Sequence, residues 1–455
     1  MIGLLGFGKS NQILYKFLKG KKLFVSEISS LPKKWKKIFI DDGTEFEENG
    51  HSEKLLKCDL IIKSPGAKRN LPILKAAEKK GIEIINEMEY TYRVLRTLHM
   101  VPKIVVITGT NGKTTTTSLI GEMLKQNYEV FVGGNIGNPF CEILNVPKKP
   151  QIAVLEISSF QALDLKDFKI DALAILNIKQ DHIDWHGSFE NYKNAKLKLL
   201  KHCRDDGVVI LNMDDEILRS VSYDGNLMYF SLNNEKADFY MDVSNKKVYF
   251  HSNFLFKMPD VLKYNHNYYN ALAAIAISKN FGIQDSLILK ILKNFEPEEH
   301  RLEEFFEFKG IKFINDSKAT NSSATIAAIN SFPEKRIILI LSGKEKNEDF
   351  SELIEIIKNR VKHTVLVGEM VETLKGYFNS ENIAHSIEST FYNAVEKAIK
   401  VASEGDYILL SPAGASFDMF DDYKHRGKTF KKIVFDILKG NGHSQLPTAH
   451  RSGGL

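Results

Sequence analysis

Short apolar runs followed by amphipathic stretches recur along this chain, an alternation that predicts parallel-sheet α/β units. In the first third, strands are expected at Ile2–Gly6, Lys22–Val25, Ile38–Ile40, Asp59–Ile62 and Ile82–Ile85, with helices over Gln12–Leu18 and Tyr90–Leu98. The middle third opens with strand Lys103–Thr108 and a helix ending near Lys125, then buried strands Ile152–Glu156 and Ala172–Asn177. Between Leu227 and Phe256 the pattern changes to short alternating runs with Asn-rich turns, which suggests an antiparallel appendage. Helices Asn267–Lys279 and Gln284–Phe295 follow. Strands Ile311–Asn315, Arg336–Leu341, Thr364–Val367 and Tyr407–Leu410 repeat the rhythm in the last third.

The expected fold class is therefore α/β in three domains. Residues 1–96 read as a Rossmann-like parallel sheet and residues 97–296 as a P-loop ATPase-type parallel sheet with the small antiparallel appendage. Residues 297–440 read as a second Rossmann-like domain, and 441–455, which lose periodicity, as a disordered tail or non-native addition. A length of 455 residues agrees with three domains. The 43% hydrophobic and 26% charged composition is that of an ordinary soluble globular protein. Three scattered cysteines fit no metal or redox spacing and point to a reducing, cytoplasmic setting. No apolar run approaches the ~18 residues of a membrane span, and MIGLLGFG does not read as a signal peptide. Lys+Arg 62 against Asp+Glu 57 leaves a charge of +5 spread along the chain. Without a concentrated basic stripe, nucleic acid is not an expected partner; anionic small molecules are.

Ligands of open parallel sheets bind at the carboxyl ends of the strands. Clusters of small and polar residues fall at such ends in every third: Gly6–Ser10, Ser64–Gly66, Gly109–Thr115, Glu156–Ser159, Asp181–His186, Asp316–Asn321, Ser342–Lys346 and Ser411–Ser416. Turn chemistry would explain any one of these; eight with acids and lysines interspersed indicate sites. The strongest is Gly109-Thr110-Asn111-Gly112-Lys113-Thr114, set between an apolar strand and a helix. Its glycines allow backbone N–H groups to face an anion at a helix N-terminus. Lys113 would reach the β- and γ-phosphates and Thr114 would ligate Mg2+. Ile107 stands where the full P-loop pattern has glycine, so this is a shortened loop. Glu156 is the first candidate for a hard oxygen ligand nearby, and Asp181–His186 the second zone. The His182/His186 spacing could suit zinc, but no third ligand of matching character stands out. Lys196 shares a helix face with Tyr192 and is not singled out by composition. Gly6-x-Gly8 with Glu27 some twenty residues later could suggest a dinucleotide site, but the pattern ends in Asn11 instead of glycine and no matching substrate chemistry follows.

The stretches TGTNGKTT, LEISSFQ, DHIDWH, YKNAK, HNYYNALAA, EHRLE, NDSKATN and SPAGASFDMFDDYKHRG together resemble the Mur ligases, ATP-dependent amide-forming enzymes of peptidoglycan synthesis. The resemblance covers essentially residues 1–440 and is strongest to the members that add D-glutamate to UDP-N-acetylmuramoyl-L-alanine. It implies that Gly109, Thr110, Asn111, Gly112, Lys113, Thr114 and Thr115 hold the phosphates of ATP, with Asn267, Asn270, Arg301, Asp316 and Lys318 contacting adenosine or phosphate. Thr114, Glu156, His182 and Lys196 would serve two Mg2+ ions, Lys196 as a carbamate formed from CO2. Lys113, His182 and Lys196 are the implied catalytic group. Lys9, Ser10, Ser64, Gly66 and Asn135 would contact the UDP-substrate, and Thr320, Lys346, Ser416, Phe417 and Tyr423 would bind D-glutamate. The resemblance also implies a cytoplasmic monomer without membrane insertion. Two other readings stand beside it: a related ligase with another acceptor, such as a folylpolyglutamate synthetase, and an ATPase using nucleotide only as a switch. HNYYN, HRLE and NDSKATN speak against the switch, which has no use for a third α/β domain with its own anion pocket.

Overall fold

The computed structural model describes residues 1–296, 298–344 and 348–440. The amino-acid candidate Lys346, the boundary residue Pro297 and the tail 441–455 lie outside the described residues. The described residues pack as two compact units, Met1–Ile178 with Ser188–Phe295, and Lys179–Gly187 with those between Glu296 and Gly440.

The first unit carries two sheets. One has five parallel strands in the order Glu45–Glu47, Leu23–Ser26, Ile2–Leu5, Leu60–Lys63, Glu83–Ile85. This is the doubly wound arrangement in which the chain reverses direction beside the first strand and leaves a crevice there. Ile38–Ile40, expected as a strand, lies instead in helix Lys33–Asp41. The apolar run was too short to separate the two periods. Trp35, Ile38 and Phe39 recur at helical spacing, and Trp35 stacks on Phe39 with ring centroids 5.9 Å apart. Phe39 is fully buried against Phe7, Tyr15 and Phe46. The actual third strand, Glu45–Glu47, is only three residues of EFE and carries little apolar signal.

The second sheet has nine strands, ordered Asn253–Lys257, Lys247–Phe250, Phe239–Asp242, Asn226–Ser231, Cys203–Asn212, Ile170–Ile175, Lys103–Thr108, Ile152–Glu156, Val130–Gly134. Asn226–Ser231 and Phe239–Asp242 still pair in parallel; the antiparallel pairings are those of Lys247–Phe250 with Phe239–Asp242 and with Asn253–Lys257. The appendage therefore extends the main sheet. Strand Lys103–Thr108 is apolar on both faces because both are covered. Val105 and Ile107 join a core with helices Lys113–Leu124, Asn265–Asn280 and Asp285–Lys293. Ile104 and Val106 join the opposite core, which includes Met88, Tyr92 and Leu95 of helix Glu87–Thr97.

In the second unit, six strands run in the order Glu303–Phe308, Ile311–Asn315, Tyr407–Ala413, Ile337–Ser342, Val361–Val367, His385–Glu388. All pair in parallel except the first with the second. The continuous run Ile337–Ser342 is buried at every position, as a central parallel strand requires. No helix among the described residues is long and apolar enough to cross a membrane.

Candidate functional site

Strand Lys103–Thr108 passes into helix Lys113–Leu124 through the turn Gly109–Gly112. Gly112, at the helix N-cap, has φ 86°, and a Cβ there would lie 2.2 Å from Asn270 Oδ1. Left-handed backbone and a close neighbour both demand glycine. Asn177, just past strand Ile170–Ile175, holds the turn in place: its Oδ1 accepts from Asn111 N at 2.8 Å and its Nδ2 donates to Asn111 O at 3.1 Å. Its carbonyl also accepts from Thr110 N at 2.9 Å. Thr110 Oγ1 meets the Tyr192 hydroxyl at 2.9 Å, and Lys113 Nζ donates to Thr110 O at 2.8 Å. Asn270 Oδ1 accepts from Thr116 Oγ1 at 3.3 Å, while Asn270 Nδ2 and Thr115 Oγ1 are buried with no hydrogen-bond partner. Buried polar atoms without partners carry a desolvation cost that a bound anion or water can offset. Asn267, one turn earlier on the helix of Asn270, is also buried.

Beside this turn Glu156 is 2% exposed. Its Oε2 accepts from Thr114 Oγ1 at 2.9 Å and its Oε1 from Asn135 Nδ2 at 2.8 Å. Asn135 N also donates to Glu156 O at 2.8 Å. That closeness requires Gly134, with φ 98°, since a Cβ there would lie 2.3 Å from Glu156 O. The side-chain donors to the Glu156 carboxylate are thus the neutral Thr114 hydroxyl and Asn135 amide. A buried carboxylate with only neutral donors, next to a threonine hydroxyl, fits a hard divalent cation. Lys196 adds a buried amine: Nζ donates to Gly109 O at 2.8 Å and lies 4.7 Å from the Tyr192 ring centroid. The sequence identified the Tyr192–Lys196 face but gave no reason to choose Lys196; burial supplies that reason.

At the first sheet, the departure at Asn11 has a structural explanation. Fully buried, Asn11 Nδ2 donates to Gly6 O at 2.7 Å and reaches Ile62 O and Ser64 Oγ at 3.3 and 3.4 Å. It ties the ends of two strands together where a dinucleotide site would have glycine. Glu27 occupies the loop from the other side, accepting from Phe7 N at 2.5 Å. Backbone hydrogen bonds from Phe7 and Ser29 outweigh burial and hold its carboxyl below the usual range, although burial is the largest single influence. Lys9 Nζ donates to Gly137 O at 2.5 Å, Ser10 O accepts from the Cys141 thiol, and Ser64 Oγ donates to Gly6 O at 2.9 Å. Gly66 is exposed, and a Cβ added there would meet no heavy atom within 4 Å.

His182 and Asp181 belong to the second unit. Asp181 Oδ2 accepts from Asn321 Nδ2 at 3.0 Å, and Oδ1 from His182 N at 2.9 Å, with His182 itself at φ 55°. In the same unit Asp316 accepts from Leu302 N at 3.1 Å and from Ser411 Oγ at 2.8 Å. Burial pushes its carboxyl up to about 7, against the opposing pull of Ser411 and Arg301. His300 and Leu302 both have positive φ, so the backbone around Arg301 is strained; Arg301 Nε is buried without a hydrogen-bond partner. Lys318 Nζ lies 2.6 Å from both oxygens of Glu298 and 5.7 Å from the Tyr423 ring centroid. Thr320 is half-buried, Ser416 buried and Phe417 74% exposed. Arg426 was not singled out from the sequence, although it stands in the quoted KHRG. Fully buried, it donates to Ser317 Oγ and O, Gly414 O and Ser342 O at 2.9–3.4 Å. One guanidinium thus binds the carboxyl ends of three strands.

Comparison with known proteins matches residues 1–71 to the MurD N-terminal domain, 107–278 to the Mur ligase middle domain and 300–414 to the Mur ligase glutamate ligase domain. The chain is 38% identical to the UDP-N-acetylmuramoylalanine–D-glutamate ligase of Thermosipho melanesiensis, covering 96% of this chain and 98% of that one. It is also 38% identical to the protein of that name from Caldicellulosiruptor bescii, covering 96% and 97%. In fold it is similar to the MurF ligase of Thermotoga maritima solved with ADP, with a TM-score of 0.62 at 17% identity over 93% of this chain and 96% of that one.

Gly112→Ala tests the turn. The added methyl group should weaken binding of a fluorescent ATP analogue by about a hundredfold, since both the conformation and the contact with Asn270 oppose it. Unchanged affinity in equilibrium titration would show that the turn does not hold the nucleotide.

Proposed function

Because this chain belongs to the Mur ligase family, we propose that it joins D-glutamate to UDP-N-acetylmuramoyl-L-alanine, using ATP, through an acyl phosphate. One observation carries the reading: the buried carboxylate of Glu156, with only neutral donors, lies beside a glycine turn flanked by the buried, unpartnered Thr115 Oγ1 and Asn270 Nδ2. The near-full-length relatives that bear the ligase name support the choice of substrates. The domains are assigned as 1–96 for the UDP-substrate, 97–296 for ATP and 297–440 for the amino acid.

The substrate carboxylate attacks the γ-phosphorus of ATP, the bond to ADP breaks, and an acyl phosphate forms. The ammonium of D-glutamate gives up one proton, the resulting amine attacks the carbonyl carbon, a second proton leaves the nitrogen, and the C–O bond to phosphate breaks. Two anions must meet in the first step, so the protein has to supply positive charge and donors in fixed positions. Thr114 and Glu156 would hold Mg2+, with a second ion at His182. Bound there, magnesium would neutralise charge on the phosphate and carboxylate oxygens. Lys113 and the first N–H groups of its helix would grip the β- and γ-phosphates, on a turn Gly109–Gly112 that Thr110 and Asn111 fix through Asn177, with Thr115 and Asn270 offering their unpartnered atoms. Asn267, Arg301, Asp316 and Lys318 would complete the nucleotide contacts. In place of holding an ion, His182 is the candidate base for the ammonium.

Lys196 as a carbamate would exchange a cation for a carboxylate beside the turn. Its buried amine, already against Gly109 O, supports that role. Lys9, Ser10, Ser64, Gly66 and Asn135 are assigned to the UDP-substrate, and Thr320, Lys346, Ser416, Phe417 and Tyr423 to D-glutamate. The protein is proposed to act in the cytoplasm as a monomer.

Phosphate release from ATP should require both the UDP-sugar substrate and D-glutamate, with other amino acids ineffective. Turnover indifferent to either substrate would overturn the ligase reading. Lys196→Ala should lower kcat by about a thousandfold or more, as loss of a metal-positioning group does. A short-chain carboxylic acid should restore part of it; full activity without the acid would overturn the carbamate.

A further inference from the structure

The turn assigned to the UDP-substrate is gripped from inside by a buried ammonium. Lys63 ends strand Leu60–Lys63 with its side chain 1% exposed. Its Nζ donates to Ala67 O at 2.8 Å and Ser64 O at 3.3 Å, and lies 2.9 Å from Asp164 Oδ2. An ammonium has three donors and no acceptor; here it donates to two carbonyls of the turn while its charge faces the Asp164 carboxylate at ion-pair distance. Asp164, with no exposed side-chain surface, also takes Arg69 Nε on Oδ1 at 2.7 Å. The segment from Lys63 to Arg69 therefore closes around one carboxylate.

That carboxylate is fixed from its own side as well. It follows helix Ser159–Ala162, a turn with a reciprocal Ser158–Gln161 cap that begins just beyond Glu156. Lys198 Nζ donates to the carbonyls on either side of it, Leu163 O at 2.7 Å and Leu165 O at 3.0 Å. Asn86 Nδ2 reaches Gln161 O at 2.8 Å and adds a second tie to the first sheet's layer. A continuous set of short contacts thus runs from Ser64 through Lys63 and Asp164 to the segment that carries Glu156.

A buried ion pair is a poor source of stability, because desolvating two charges offsets their attraction, and an apolar pair of similar volume often does as well. What the charged pair provides is a single geometry. We propose that Lys63 and Asp164, clasped by Arg69, are positioning residues: they fix the Ser64–Ala67 turn to the Glu156 segment, so that the nucleotide end and the reacting carboxylate of one substrate are held in one frame. This role rests on the ligase reading above. Both side chains are buried away from the surface a substrate would meet.

The test is steady-state kinetics of the full chain on all three substrates, with melting temperatures, for Asp164→Asn and for the double variant Lys63→Met with Asp164→Leu. The double variant should melt within a few degrees of the parent. Its KM for the UDP-substrate should rise about tenfold while those for ATP and D-glutamate stay unchanged. A merely structural role would not separate one KM from the other two. Folded variants with an unchanged KM for the UDP-substrate, or with all three rising together, would overturn the proposal. If the double variant fails to fold, Arg69→Met, which removes only the partly exposed outer clasp, decides on the same split. Parent-enzyme turnover without the UDP-substrate would instead overturn the ligase reading, and the positioning role with it.

Discussion

A backbone turn with no room for a side chain sets the terms for the first unit. Between Thr108 and Lys113 the chain must leave a buried strand and start a helix with its N–H groups facing outward. Gly112 makes this possible, and Asn177 and Asn270 hold the result. Once the turn is fixed, Thr114 falls against Glu156, and Glu156 against Asn135. The preorganisation lies in the polypeptide itself, which matters for a reaction whose barrier is largely the approach of two anions.

The second unit solves a similar problem with charge. Its loops follow the carboxyl ends of parallel strands, and Arg426 binds carbonyls from three of them at once. Burial lowers the guanidinium's hold on its proton to about 10, and the acids Asp418 and Asp316 oppose that shift. A nearby group of acids, Glu299 and Glu303 with His300, has the spacing of a metal site. Lys431 spans its two glutamates at 2.6 and 2.7 Å and supplies the counter-charge. In the first unit the metal is assigned to Glu156, whose carboxylate meets the neutral Thr114 hydroxyl and Asn135 amide beside the glycine turn.

Much of this was legible in the sequence because periodicity and turn chemistry agreed. Strands Lys103–Thr108, Ile152–Glu156 and Ile311–Asn315 have the bounds their apolar runs predict. The helix over residues 33–41 is hidden in the sequence because three apolar residues cannot by themselves distinguish periods of 2 and 3.6. Short edge strands such as Glu45–Glu47 carry too little burial to leave a pattern. The glycine turn and Glu156 could be found from residue type and position alone. Asn11, Asn177 and Arg426 could not, since their roles arise from backbone groups distant in sequence and their side chains are common in loops. Lys196 lay between: resemblance named it, and only burial against Gly109 explains why that lysine differs from its neighbours.

The central claim is that the substrate's own carboxylate takes the phosphoryl group before the amide forms. Carboxylate 18O in UDP-N-acetylmuramoyl-L-alanine tests it most directly, with mass analysis of the phosphate released in the presence of ATP and D-glutamate. An acyl phosphate requires one labelled oxygen to leave with each phosphate. Unlabelled phosphate from a completed turnover would contradict the account.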